Sequence, residues 1–135
     1  MTKQQFTLYL ENKPGELARI TKRFAGAKIN LEGISVATTA EVALVQLVVS
    51  NATATKRLLS AAKIPFTVQR VAMVPIQNKP GELANVAALL AREKININYV
   101  YATACDCKTG CNCYAIISAP NLKKVEEAWK RAAGQ

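Results

Sequence analysis

Residues 11–20 read ENKPGELARI, and residues 77–86 read QNKPGELANV. The shared heptapeptide, NKPGELA at 12–18 and again at 78–84, follows a short run of alternating apolar residues and precedes a run with helical spacing. The same shift of 66 residues carries Lys28-Ile29-Asn30 onto Lys94-Ile95-Asn96, so the match spans a whole structural unit and marks an internal repeat. Past residue 40 the offset grows to 70, with Asn51 meeting Asn121 and Leu58 meeting Ala128. Four residues are therefore added to the second copy, between its second and third strands.

Within each copy the hydrophobic period changes in a fixed order. Phe6, Leu8 and Leu10 alternate as one face of a strand, and Ala72, Val74 and Ile76 repeat the pattern. Leu17, Ile20 and Phe24, with Leu83, Val86 and Leu90, then fall at helical spacing. A second strand is expected from Ile29 or Ile95, and a third over Val42 to Val49 or Cys113 to Ala119. The closing helix is clearest in copy two, where Leu122, Val125, Ala128, Trp129 and Ala132 share one stripe and charged residues fill the opposite side. In copy one a final strand, Phe66 to Val71, completes the order. The expected fold is α+β: two ferredoxin-like βαββαβ units in tandem, residues 1–71 and 72–135. The closing strand of copy one maps one residue past Gln135, so the second unit is expected to lack its final strand. An open sheet edge invites pairing with another chain. The expectation is a homodimer, or a long strand from Phe66 to Gln77 that serves both units.

Half of the 135 residues are apolar, enough for a real core. The longest apolar run, Val42 to Val49, is interrupted by Gln46 and is far shorter than the ~20 residues of a membrane span. The opening MTKQQFTLYLE lacks the longer apolar stretch of a secretory signal, so a cytoplasmic location is expected. The net charge of +9 favours anionic ligands, but the basic residues are scattered singly or in pairs, as on solvated helix faces. Tyr99 and Tyr101 alternate on one strand face, a thin signal for base stacking, and nucleic acid is not an expected partner. The chain has no His, no Gly-rich phosphate loop and no acid–base pair beyond Glu16 and Glu82, which a helix start explains, so no catalysis is expected.

Proline at a first helical turn costs nothing, since its missing N–H would have no partner there, and glycine allows a tight strand-to-helix turn. Asn12 and Asn30 lie 18 residues apart, and Asn78 and Asn96 keep the same spacing. Carboxamides both donate and accept, so a pair facing free N–H groups at a helix start can grip the carboxylate and ammonium of one small molecule. The other reading is that these Asn residues only cap turns.

The pattern polar-Asn-basic-Pro-Gly-x-Leu, followed by Lys-Ile-Asn-Leu or Lys-Ile-Asn-Ile, resembles the ACT domain, and the resemblance covers both halves. It implies βαββαβ modules that bind amino acids at interfaces between paired domains and regulate enzymes of amino-acid metabolism. Some members only mediate assembly. In the serine-sensing member, the regulatory domain of phosphoglycerate dehydrogenase, one Asn before the Pro-Gly turn and one at the start of the second strand grip the ligand. Those roles map onto Asn12 and Asn30, and onto Asn78 and Asn96. Pro14, Gly15 and Leu17, with Pro80, Gly81 and Leu83, complete the candidate sites. Leu10 and Ile76 stand where that member has a histidine, which points away from serine and toward a more apolar amino acid.

All four cysteines lie in ACDCKTGCNC, inside the insertion of copy two. As a hairpin closed at Lys108-Thr109-Gly110, this stretch sets Cys107 against Cys111 and Cys105 against Cys113, all on one face. Opposed thiols could hold Zn or another soft cation, or close into disulfides. A tetrahedral site wants sulfurs about 4 Å apart, whereas a flat hairpin spreads the two pairs ~7 Å, so Zn would require buckling. Zn at these four cysteines is the one candidate cofactor, and a cysteine-centred metal or redox sensor is the rival to an amino-acid-binding regulator.

Overall fold

A computed structural model of the protein describes residues 2–103 and 113–132. The elements are β1 (Thr2–Glu11), α1 (Glu16–Gly26), β2 (Leu31–Thr38), β3 (Val42–Val49), α2 (Ala52–Ala61), β4 (Phe66–Ile76), α3 (Glu82–Arg92), β5 (Tyr99–Thr103), β6 (Cys113–Ser118) and α4 (Leu122–Ala132). They fall into two compact units, Gln4–Gln69 and Arg70–Gln135 with Met1–Lys3.

In the first unit the strand order is β2-β3-β1-β4, all antiparallel where paired. Phe6 lies opposite Leu47, Leu8 opposite Val45 and Leu10 opposite Ala43. This alternating face meets Ile20 and Phe24 of α1 and Leu59 of α2, in a core where no member is more than 8% exposed. Each such large side chain removed from water contributes roughly 1.5–3 kcal/mol.

The second unit repeats the plan with β4, β6 and β5. Ala72 faces Ile117 and Val74 faces Ala115, and with Val86 and Leu90 of α3 and Val125 of α4 they form the second core. The outer hairpins share a register: Gly33 opposite Val48 becomes Tyr99 opposite Ser118 under the shifts of 66 and 70. Asn51 and Asn121, also 70 apart, each cap the helix that follows, accepting from Ala54 N–H at 3.0 Å and Lys124 N–H at 3.1 Å.

The second unit also takes in the start of β1. Strand β1 is the neighbour of β4, and Thr2 and Lys3 belong to this unit, with the Thr2 hydroxyl donating to Glu126 of α4. The expected long strand is β4 itself, which ends at Ile76, one residue before Gln77.

One local expectation shifts. The second strands begin at Leu31 and Tyr99, later than Ile29 and Ile95. The cause is the way α1 and α3 end. Ile29 N–H bonds the Phe24 carbonyl and Ile95 N–H the Leu90 carbonyl, so both residues close a helix and cannot join a ladder. Leu17 and Leu83, at helical spacing from the buried Ile20 and Val86 and among the candidate ligand residues, are 41% and 48% exposed. No helix among the described residues is long and apolar enough to cross a membrane.

Candidate functional site

The repeated NKPGEL forms the same corner twice. Glu16 N–H approaches the Lys13 carbonyl at 3.4 Å, with Gly15 between them at φ 89, ψ −13. Glu82 N–H reaches the Lys79 carbonyl at 3.4 Å, with Gly81 at φ 90, ψ −10. Proline at the second position and a left-handed residue at the third define a type II turn. This corrects the expected roles of both residues. Pro14 and Pro80 stand before the N-cap, outside the first helical turn. Glycine is needed for its positive φ, because a Cβ at either position would meet nothing within 4 Å.

The consequence is electrostatic. Glycine at the N-cap offers no side-chain oxygen, and neither α1 nor α3 has a side-chain cap. The first N–H groups of each helix therefore keep their partial positive charge for water or a ligand. Leu17 and Leu83 lie exposed in that same first turn.

Charge around the corner differs between the copies. In copy one, Glu16 accepts from Arg19 at 2.8 Å and has Lys13 at 3.8 Å. The hydrogen bond from Arg19, with the nearby Lys13 charge, holds the Glu16 carboxyl below the usual carboxylate range against an opposing desolvation. In copy two, Lys79 lies 3.7 Å from Glu82, and Asn85 occupies the position of Arg19.

The four candidate Asn residues are all exposed. The Asn12 carboxamide donates to the Thr39 carbonyl at 3.1 Å and its N–H to Glu41 at 2.9 Å, tying the corner to the β2–β3 turn. Asn30 precedes β2 and exchanges backbone bonds with Ser50, its N–H donating to Ser50 Oγ and its carbonyl accepting from Ser50 N–H, both at 2.9 Å. Thr39 and Ser50 carried no sequence signal as partners. Asn78 stands two residues after the end of β4, and Asn96 three residues before β5. Glu32 is the extra residue of a β-bulge between Leu31 and Gly33, and its Oε1 is buried without a hydrogen-bond partner.

Cys105, Cys107 and Cys111 lie outside the described residues. Cys113, opposite Ile76, is 3% exposed on the same side of β6 as the core residues Ala115 and Ile117. The nearest described pair in that hairpin is Thr103 with Tyr114, one residue out of the register that Cys105 facing Cys113 requires. Among the described residues no group of three or more potential metal ligands occurs. Tyr99 and Tyr101 stack on one another at 6.4 Å between ring centroids, and burial raises the Tyr101 hydroxyl far above its ordinary range.

Among the described residues, cavities are lined within each unit. One of about 180 Å³ is lined by Tyr9, Glu11, Glu16, Arg19 and Lys63, among others, beside the copy-one corner. A larger one of about 410 Å³ lies between α3 and α4. Neither lining includes Asn12, Asn30, Asn78 or Asn96.

Comparison with known proteins finds no match among the curated proteins. Among solved structures, protein BT0572 from Bacteroides thetaiotaomicron is similar at 27% identity and a TM-score of 0.87, over 98% of this chain and 90% of that one. The ligand-free regulatory subunit of aspartate kinase from Thermus thermophilus is similar at 17% identity and a TM-score of 0.66, over 97% and 91%. The aspartokinase alpha and beta subunits match at 18% and 0.57, over 96% and 92%. At these last two identities the likeness is one of fold. The model of the ACT domain pair matches residues 1–127, and the chain belongs to that family.

Proposed function

We propose that the protein is a non-catalytic, cytoplasmic regulator that binds a small amino acid at the NKPGEL corner of one or both repeats. It works as a homodimer and passes the ligand signal to a metabolic enzyme. The observation that carries this reading is the duplicated helix start, left without a side-chain cap by Gly15 and Gly81 and flanked by exposed Leu17 and Leu83. Free N–H groups suit a carboxylate. The leucines suit an apolar side chain, and Asn12, Asn30, Asn78 and Asn96 supply carboxamides. The unpartnered Glu32 Oε1, two residues on from Asn30, is an acceptor that a ligand ammonium would satisfy. The regulatory subunit of aspartate kinase among the similar folds supports an enzyme as the regulated partner.

Thermal melting with each of the twenty amino acids tests the proposal. A ligand at a hundred times its Kd adds about 2.7 kcal/mol, a shift of several degrees. At least one amino acid should raise the midpoint, and Asn12→Ala with Asn78→Ala should abolish that shift, measured from the variant's own midpoint. Absence of any shift at millimolar concentration overturns the reading.

A further inference from the structure

The larger cavity lies within the second unit, and none of the four corner Asn residues lines it. Helix α3 lines it with Glu82, Asn85, Val86, Ala88, Leu89 and Arg92, and helix α4 with Trp129 and Ala132. At about 410 Å³ it falls within the usual range for a small-molecule site, and its lining mixes apolar side chains with the polar Glu82, Asn85 and Arg92. Trp129 is half-buried against the second core, and Leu89 is buried at 6% exposure without belonging to that core. Arg92 and Asn85 make no side-chain hydrogen bond or ion pair among the described residues. Glu82, by contrast, has Lys79 at 3.7 Å.

The repeat supplies a control. The copy-one equivalents of Asn85, Ala88, Leu89 and Arg92 are Arg19, Lys22, Arg23 and Gly26, and Trp129 corresponds to Leu59, which is fully buried. The βαββαβ frame is thus satisfied by long charged side chains on this helix face. Copy two replaces them with small and apolar ones, adds an indole and moves a guanidinium to the far end. Packing alone does not call for that set.

We propose that the α3–α4 cavity is a second binding site, for a small aromatic carboxylate whose ring lies against Trp129 and whose carboxylate pairs with Arg92. The uncommitted charge is cationic, which selects an anion. A planar guanidinium matches a carboxylate bidentately. The indole face and Leu89 favour a flat apolar body over an aliphatic polyol or an inorganic anion.

Trp129 is the single tryptophan of the chain, so its fluorescence reports on the site directly. Titration of the full chain with 3-phenylpropanoate should give a saturable change in Trp129 emission. The uncharged 3-phenylpropanamide should bind about tenfold more weakly, the loss expected for one charge-assisted pair. Arg92→Gln, at an exposed position, should bring the acid to the level of the amide. Asn85→Arg with Ala88→Lys, also exposed and copied from α1, should close the cavity and remove the signal. Asn12→Ala with Asn78→Ala should leave the titration unchanged, which separates this site from the amino-acid corner. The proposal is overturned by a flat titration at millimolar acid, by Arg92→Gln binding the acid as tightly as the unaltered chain, or by loss of the signal in the Asn12, Asn78 variant.

Discussion

Helices α1 and α3 stand at the same point of their repeats, start from the same six residues and end in the same way, yet they present different surfaces. Toward the core they agree: Ile20 and Phe24 in one, Val86 and Leu90 in the other, all at 2% exposure or less. Away from it, Arg19, Lys22 and Arg23 are answered by Asn85, Ala88 and Leu89. The corner and the buried stripe are what the frame demands, since a changed turn or an unfilled core position costs kilocalories. The outer face is free to differ, and there the two copies have separated in chemistry. Glu32 and its counterpart Asn98 show the same split, a bulged carboxylate on β2 in one copy and a carboxamide just before β5 in the other.

The largest effects should come from breaking what the copies share at their helix ends. Lys28 and Lys94 adopt left-handed φ of 58 and 56, Lys28 N–H bonds the Ala25 carbonyl and Lys94 N–H the Ala91 carbonyl, and the following isoleucine closes back on the helix. Lys63 and Ile64 do the same after α2. In each case the isoleucine is buried, at 5%, 8% and 6% exposure for Ile29, Ile95 and Ile64. Ile29→Ala and Ile95→Ala should each lower the unfolding free energy by about 2–5 kcal/mol in urea titrations. A loss well under that range in only one of them would show that the two helix ends are not equivalent.

A smaller loss should follow from the corners. Ala at Gly15 or Gly81 would have to hold a φ near 90, a backbone cost of roughly 1–2 kcal/mol with no clash added. Lys28→Gly and Lys94→Gly should run the other way, from neutral to stabilising by up to ~1 kcal/mol, because lysine already bears that backbone cost. Thermal melts of the four single variants check the pairwise symmetry, and opposite signs at Gly15 and Gly81 would break it.

These elements also show what a single sequence gives up and what it withholds. Core-facing residues such as Phe6, Leu8, Val86 and Leu90 were legible because period 2 and period 3.6 each leave a repeating trace. The shift from 66 to 70 located the insertion, and the paired caps Asn51 and Asn121 agree with it. The second strands start later than the pattern suggests because AKIN and EKIN look extended, while a lysine in left-handed conformation spends the isoleucine N–H on the helix. Leu17 and Leu83 fit helical spacing and still lie exposed, since the spacing marks one face but not how far the core extends along it. That the first residues of the chain belong to the second unit joins positions more than a hundred apart, as the bond from Thr2 to Glu126 of α4 illustrates. The α3–α4 cavity is a property of two helix faces together, and only the contrast of Arg23 with Leu89 hinted at it.

The smallest expected effect tests charge at the corner. The folded-state pKa of Glu16 is lowered, first by the Arg19 hydrogen bond. Between that value and the ordinary 4.5 the unfolded chain binds the proton more readily, so stability rises with pH across this interval. The contribution is present in full above about pH 4.5 and is lost as pH falls through the folded value. Arg19→Asn, which writes the copy-two residue into copy one, should move the Glu16 carboxyl titration back up and flatten the acid limb of the stability curve. Added salt should do part of the same, because the pair is solvent-accessible. Carboxyl carbon shifts followed by NMR through the acid range measure both, and a Glu16 titration unmoved by Arg19→Asn would mean that the corner dipole, common to both copies, sets the carboxyl pKa without help from the side chain that distinguishes them.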